Sequence, residues 1–230
     1  MNLFYAKPSD FIGDSVSISG QEAIHILRVL RHSQGDKITI TDGEGVIYHC
    51  EIETVKKDRL TALIQSTETV ERTLPLITLC MGVIKKRDRL EFALEKAVEI
   101  GADRVILFLG DNSERSKVRL DRLQVIARSA MKQSKGAYLT EVVLADSLMD
   151  AVSNPGNNKI IVADEQLDSS TEWETLRHDN YMLIVGPEGG FSDRERAYLN
   201  TVRAEKYSLG AKRLRAETAA ILMVDRFKNV

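Results

Sequence analysis

Hydrophobic and polar positions change rhythm once along this chain, near residue 75. Before it, short runs alternate. Tyr48, Cys50 and Ile52 point one way and His49, Glu51 and Glu53 the other, the two-residue period of a half-buried strand. Strand-like runs at residues 37–41, 46–53 and 60–65 are set off by the turn formers Gly35-Asp36 and Asp42-Gly43-Glu44-Gly45. One helical segment, residues 21–31, precedes them with Ile24, Leu27 and Leu30 on one stripe. The pattern predicts a small β-barrel with one helix over residues 1–72. A polar stretch at 66–73, ending before Pro75, reads as a linker.

After residue 75 strands and helices alternate. Residues 76–84 form a nearly continuous apolar run, suited to a strand buried on both faces. Residues 88–100 predict a helix with Leu90, Ala93, Leu94, Ala97 and Val98 inward and Gly101 as its stop. A strand at 104–109, a helix at 118–135 and two apolar strands at 159–163 and 181–185 follow. Ser192-Asp193-Arg194-Glu195 has capping-box spacing and opens a helix to about Arg203. A short strand at 206–209 and a helix at 216–228 complete the chain. The alternation predicts an α/β domain over residues 73–230, an open and mostly parallel sheet covered on both faces.

At 230 residues the chain can bury a sizeable core, and its composition is that of a globular protein. No apolar run approaches the roughly 20 residues needed to span a bilayer. The N-terminal segment has neither the charged start nor the apolar middle of a signal peptide, so a cytoplasmic setting is expected. Cys50 and Cys80 stand apart with no ligand spacing, and His25, His32, His49 and His178 show no paired motif, so neither a disulfide frame nor a metal is expected. The net charge of −2 hides a segregation. Residues 112–140 are rich in Arg and Lys, while 141–180 are rich in Asp and Glu, which gives a polarised surface. The basic stretch suits either a polyanion or a solvated helix face.

Two glycine-bearing turns carry the candidate chemistry. The first is Leu183-Ile184-Val185-Gly186-Pro187-Glu188-Gly189-Gly190-Phe191-Ser192, a strand entering a turn and then a capped helix. Ligands of open α/β sheets sit beyond the carboxyl ends of strands, where this turn falls. It lacks the phosphate-binding GxxxxGK[ST] and the dinucleotide GxGxxG patterns, and Glu188 would repel an anion. A neutral or cationic ligand suits it better; the plain alternative is a turn whose glycines only satisfy geometry. The second turn is Ser208-Leu209-Gly210-Ala211-Lys212-Arg213-Leu214-Arg215, which opens a helix with Glu217 and the small residues Ala219 and Ala220. Lys96, Arg115, Lys132 and Gln133 are donors suited to phosphates or base edges, whereas Glu95 and Glu99 read as ion-pair partners of Lys96.

Taken together, these residues resemble the RsmE family of small-subunit ribosomal RNA uridine N3-methyltransferases, within the knotted SPOUT superfamily. The resemblance runs over nearly the whole chain. It rests on His25-Ile26-Leu27-Arg28-Val29-Leu30-Arg31 with Gly35-Asp36 and Asp42-Gly43, on Glu95-Lys96 through Gly101, on Ser113-Glu114-Arg115-Ser116, and on the two glycine turns through Ala219. One departure falls at Lys135-Gly136-Ala137-Tyr138, where such proteins carry Arg and Pro after the Gln-Ser pair.

The resemblance implies an N-terminal PUA-like barrel that holds RNA, a C-terminal trefoil knot, and a homodimer with its active site at the subunit interface. It implies S-adenosylmethionine as methyl donor and 16S ribosomal RNA of the small ribosomal subunit as substrate. Leu183, Gly186, Pro187, Glu188, Gly190, Leu209, Gly210 and Leu214 would form the donor site. Arg28, Arg31, Lys96, Arg115, Lys132 and Gln133 would hold RNA. Arg115 or Arg215 would stabilise the uracil anion, and Glu188 or Glu217 would take the N3 proton or hold a loop. The alternatives are a related methyltransferase acting on another ribosomal or transfer RNA position, and a non-catalytic RNA-binding assembly protein.

Overall fold

A computed structural model describes residues 2–114, 117–164 and 178–229. The chain divides into two compact units. The first holds the residues up to Arg72 together with Met131–Leu139; the second holds Thr73–Ala130 and the chain from Thr140 onward.

The first unit is a six-stranded sheet. Its strands are β1 (Leu3–Tyr5), β2 (Phe11–Ile12), β3 (Ser15–Ser19), β4 (Lys37–Thr41), β5 (Val46–Lys56) and β6 (Arg59–Thr69), in the order β1-β4-β5-β6-β3-β2. Only β1 and β4 pair parallel. Phe4, Val16, Ile18, Ile38, Ile40, Cys50, Ile52 and Leu60 fill the core. β6 runs on through Thr69, so the first half of the stretch expected as a linker is paired strand opposite β5. Its exposed polar residues hide a strand because hydrogen bonding there needs no buried face.

The predicted helix at 21–31 begins as an α-helical turn, α1 (Gln21–Ile24), and widens into a π-helical turn at His25–Val29. The amide of Leu30 donates five residues back to the His25 carbonyl at 3.0 Å. Widening moves the buried face to Ala23 and Ile26, leaving Ile24, Leu27 and Leu30 only partly covered. Arg31 ends the turn at φ 60°, in the left-handed region.

Met131–Leu139 joins this unit, against the expectation of a boundary near residue 72 alone. Thr41 Oγ1 donates to the Ala137 carbonyl at 3.1 Å, and the Leu139 amide to the Gly43 carbonyl at 2.8 Å. Tyr138 lies so close to Gly45 that a Cβ there would meet its hydroxyl at 2.3 Å. Gly43 and Gly45 thus serve this docking as well as the turn itself.

The second unit is a parallel sheet. Its strands are β7 (Leu76–Gly82), β8 (Arg104–Phe108), β9 (Glu141–Ala145), β10 (Lys159–Ala163), β11 (Asn180–Val185) and β12 (Glu205–Tyr207), in the order β12-β10-β11-β7-β8-β9. The helices are α2 (Arg87–Ile100), α3 (Leu120–Gln133), α4 (Leu148–Val152), α5 (Asp193–Thr201) and α6 (Ala216–Lys228). α2 buries Leu90, Ala93, Leu94, Ala97 and Val98, the face its periodicity predicts, and Gly101 caps it at φ 115°. α6 packs against α2, β7 and β11 on one face, while α4 and Phe191 close the other over Phe108, Ile160 and Met182. Lys228 Nζ ties the end of α6 to the Thr73 and Pro75 carbonyls at 2.9 Å each. Among the described residues no helix is long and apolar enough to cross a membrane.

Candidate active site

The chain enters the sheet at β7, moves out through β8 and β9, and returns across it to β10, so β11 is laid between β10 and β7. Such a reversal opens a crevice beyond the carboxyl ends of the strands. A cavity of about 690 Å³ lies there, floored by the ends of β10, β11 and β12 and walled by the two glycine turns. Gly186, Pro187, Glu188 and Gly190 line it from one side, and Leu209, Gly210, Leu214 and Arg215 from the other. Sequence reasoning thus placed the two turns, 24 residues apart at Gly186 and Gly210, at one site.

The first turn is held by close backbone approach. A Cβ on Gly82, at the end of β7, would meet the Pro187 nitrogen at 2.5 Å, and one on Gly189 would meet the Asn112 carbonyl at 2.8 Å. Gly190 adopts φ 69°. The capping box forms as its spacing predicts: the Ser192 amide donates to Glu195 Oε2 at 2.8 Å, and Ser192 Oγ accepts from the Glu195 amide at 3.1 Å. Glu195 is buried, and its other oxygen accepts from the Asp111 amide at 3.1 Å, which fastens the loop after β8 to the same helix end. Gly210, at φ 114°, has open space where a Cβ would stand.

Leu183 belongs elsewhere. It is fully buried mid-strand, opposite Leu79 and Ile161, and Val185, two residues on at the strand end, lines the cavity in its place. Reading the motif as a block carried the site too far into the sheet.

The two carboxylates expected to accept a proton meet on one residue that sequence reasoning missed. Arg89, in the first turn of α2, donates through Nε and Nη2 to both oxygens of Glu217 at 2.6 Å, and through Nη1 to Glu188 Oε1 at 2.7 Å. Glu188 Oε2 accepts from the Lys85 amide at 3.0 Å. Burial pushes the Glu217 carboxyl up, but the Arg89 hydrogen bonds, its own backbone amide and the charges of Arg89 and Arg215 outweigh this and hold it below its ordinary value. The Glu217 hydrogen bond in turn raises the Arg89 guanidinium. A carboxylate held bidentately and made more acidic is a poor base. The geometry fits the loop-holding alternative for both residues. It also removes the argument that Glu188 sets the ligand's charge, since Arg89 offsets it. Arg89 had no motif of its own; it reads as one more cation in Lys85-Lys86-Arg87-Asp88-Arg89.

The other described residues expected at the site lie outside this cavity. Arg115 lies outside the described residues. Lys96 is held by its neighbour Glu95 at 2.7 Å and by Glu99 at 2.9 Å, the second being the pair that helical spacing predicts. Lys132 is tied to Glu22 at 2.7 Å within the first unit, where Glu22 also accepts from the Tyr5 amide, so its ammonium is engaged in holding that unit together. Gln133, Arg28 and Arg31 are exposed, the two arginines on and just after the π-helical turn. Cys50 and Cys80 are buried free thiols, pushed up by burial to about 11 and about 12. Among the described residues no group of three or more His, Cys, Asp or Glu could hold a metal ion.

An α/β sheet with a cavity between two glycine turns at its switch point is a small-molecule binding architecture, and its family is shown by sequence. The chain belongs to the RNA methyltransferase domain family, which matches residues 71–228; an RNA methyltransferase PUA domain matches residues 18–65. Among its relatives, the ribosomal RNA small subunit methyltransferase E of Bacillus subtilis is 27% identical over 220 residues, covering 89% of this chain and 86% of its own. A probable rRNA-methyltransferase from Porphyromonas gingivalis has a similar crystal structure, with TM-score 0.87 at 30% identity over 100% of this chain and 98% of its own. The ribosomal RNA small subunit methyltransferase E of Neisseria gonorrhoeae, solved bound to S-adenosyl methionine, gives TM-score 0.85 at 27% identity, over 100% and 97%.

Proposed function

We propose that this chain methylates N3 of a uridine in 16S ribosomal RNA of the small ribosomal subunit, using S-adenosylmethionine. The observation that carries this is the cavity between the Gly186–Gly190 and Leu209–Leu214 turns. Its volume lies within the roughly 300–1,000 Å³ of small-molecule sites. Its walls mix backbone at Gly186, Gly190 and Gly210 with the apolar Val185, Leu209, Leu214 and Ala219, and the mutually paired Asp164 and Arg196 together with Arg215 add polar groups. That mixture suits a ligand with an apolar purine and thioether body and charged ends. When bound, the donor supplies an electrophilic methyl group on a sulfonium.

The chain's residues have separable tasks. Backbone groups of Gly186, Gly190, Leu209 and Gly210 hold the donor, with Leu214 packing on it. Arg215, exposed at the cavity wall, stabilises the uracil anion that forms when N3 gives its proton to solvent water, and that anion takes the methyl group. Glu188 and Glu217 pair with Arg89 and hold the turns. Arg28 and Arg31 bind RNA phosphates, which positions the substrate without reading its sequence. The target base leaves its stack at a cost of a few kcal/mol. In this reading the second unit carries a trefoil knot, two chains associate as a homodimer, and the enzyme acts in the cytoplasm.

The test is transfer of labelled methyl groups to small subunits lacking the modification, followed by nuclease digestion and mass spectrometry. The reading expects 3-methyluridine at one position of 16S RNA. Label on transfer RNA, on another base, or on nothing would overturn it.

A further inference from the structure

We infer that Arg89 is a positioning residue for donor binding: one guanidinium that sets the spacing between the two walls of the cavity. This rests on the methyl-donor reading above. Glu188 sits in the turn after β11, and Glu217 in the first turn of α6, immediately after the second glycine turn. Arg89 comes from a third element, α2, and lines the cavity itself. Its three nitrogens are divided between the walls, two on Glu217 and one on Glu188. Glu217 is almost fully buried, with 9% of its side chain exposed, while Arg89 keeps 22%. The network is therefore anchored in the protein and reaches to the ligand space.

The planar fork makes this a geometric device as well as a charge. Five donors in fixed directions let Arg set two carboxylates at a defined separation, which a flexible ammonium cannot do. The groups facing Glu217 are Arg89 from α2 and Arg215 from the preceding turn; Glu188 faces the far side of the guanidinium. Removing Arg89 leaves a nearly buried carboxylate beside another with no shared cation. Both turns then lose a common anchor, and Glu217 takes up a proton more readily as pH falls.

The experiment compares wild type, Arg89→Ala and Arg89→Lys by titration calorimetry with S-adenosylmethionine from neutral to mildly acid pH, and by amide hydrogen exchange without ligand. Arg89→Ala should weaken binding roughly tenfold or more, as expected when charge-assisted hydrogen bonds are lost. It should also shift the acid limb of binding to higher pH and speed exchange in both turns. Arg89→Lys should recover part of the affinity and less of the exchange protection. Unchanged affinity and unchanged exchange in Arg89→Ala would overturn the inference, as would exchange that quickens in only one turn. If wild type fails to bind the donor while Arg89→Ala still loosens both turns, the clamp stands and the donor assignment falls. Should Arg89→Ala melt too low to assay, Arg89→Lys carries the same test, and wild-type exchange in both turns would refute it.

Discussion

Gly82→Ala is the sharpest perturbation of the cavity that substitutes no residue lining it. Gly82 ends β7, and a Cβ there would stand 2.5 Å from the Pro187 nitrogen, 2.6 Å from Pro187 Cδ and 3.0 Å from the Gly186 carbonyl carbon. Reaching an ordinary contact of 3.4 Å requires about 0.9 Å of separation (3.4 minus 2.5), and the obstructing atoms are backbone and a proline ring. Neither rotates away, so the turn must move bodily. Overpacking of this kind costs about 2 kcal/mol, which in a chain of this length lowers the melting midpoint by roughly 4–8 °C. Because the displaced atoms are the cavity wall, donor affinity should fall as well. Gly136→Ala is the control: its Cβ would meet Met131 at an ordinary 3.4 Å. Thermal melts and donor titration of both variants decide the matter. If Gly82→Ala melts and binds as wild type does, the close approach of β7 to the Pro187 turn is not what fixes that wall.

Further consequences follow from the same geometry. Glu217 titrates below its ordinary 4.5 in the folded chain, so its stabilising contribution is complete above 4.5 and disappears as pH drops through the folded value. Glu217→Gln should therefore flatten the acid limb of melting temperature against pH; a limb as steep as wild type would contradict the pairing. Arg28→Ala and Arg31→Ala should each reduce the salt slope of RNA binding by about one and leave donor affinity unchanged; filter binding across salt concentrations reads this. Lys132→Ala should lower the stability of the first unit by about 1 kcal/mol, given a pair whose side chains are each 21% exposed, and a double-mutant cycle with Glu22→Gln should show coupling. Cys50 and Cys80, raised to about 11 and about 12, should resist thiol reagents near pH 8 until denaturant exposes both; fast reaction in the native chain would place them wrongly.

Periodicity carried much of the fold. The buried face of α2 follows directly from Leu90, Ala93, Leu94, Ala97 and Val98, because apolar contact is what fixes a helix face. The capping box at Ser192 and Glu195 was legible for the same local reason. The shortest strands at the start of the chain were not: β1 and β2, of three and two residues, are too brief for alternation to rise above neighbouring turns. The π-helical turn after Ile24 was hidden because α and π spacing differ by one residue within a single turn. The two turns of the site announced themselves through glycine and strand context. Arg89 did not, because its role exists only where α2, α6 and the Pro187 turn converge, and no spacing along the chain encodes that meeting.

The central claim is that the cavity beyond β10, β11 and β12 receives the methyl donor between its two glycine turns. A crystal structure of the chain grown with S-adenosylmethionine tests it most directly. The donor should be seated against the backbone of Gly186, Gly190 and Gly210, with Arg89 still bridging Glu188 and Glu217. A donor bound elsewhere, or a cavity left vacant at saturating concentration, would contradict it.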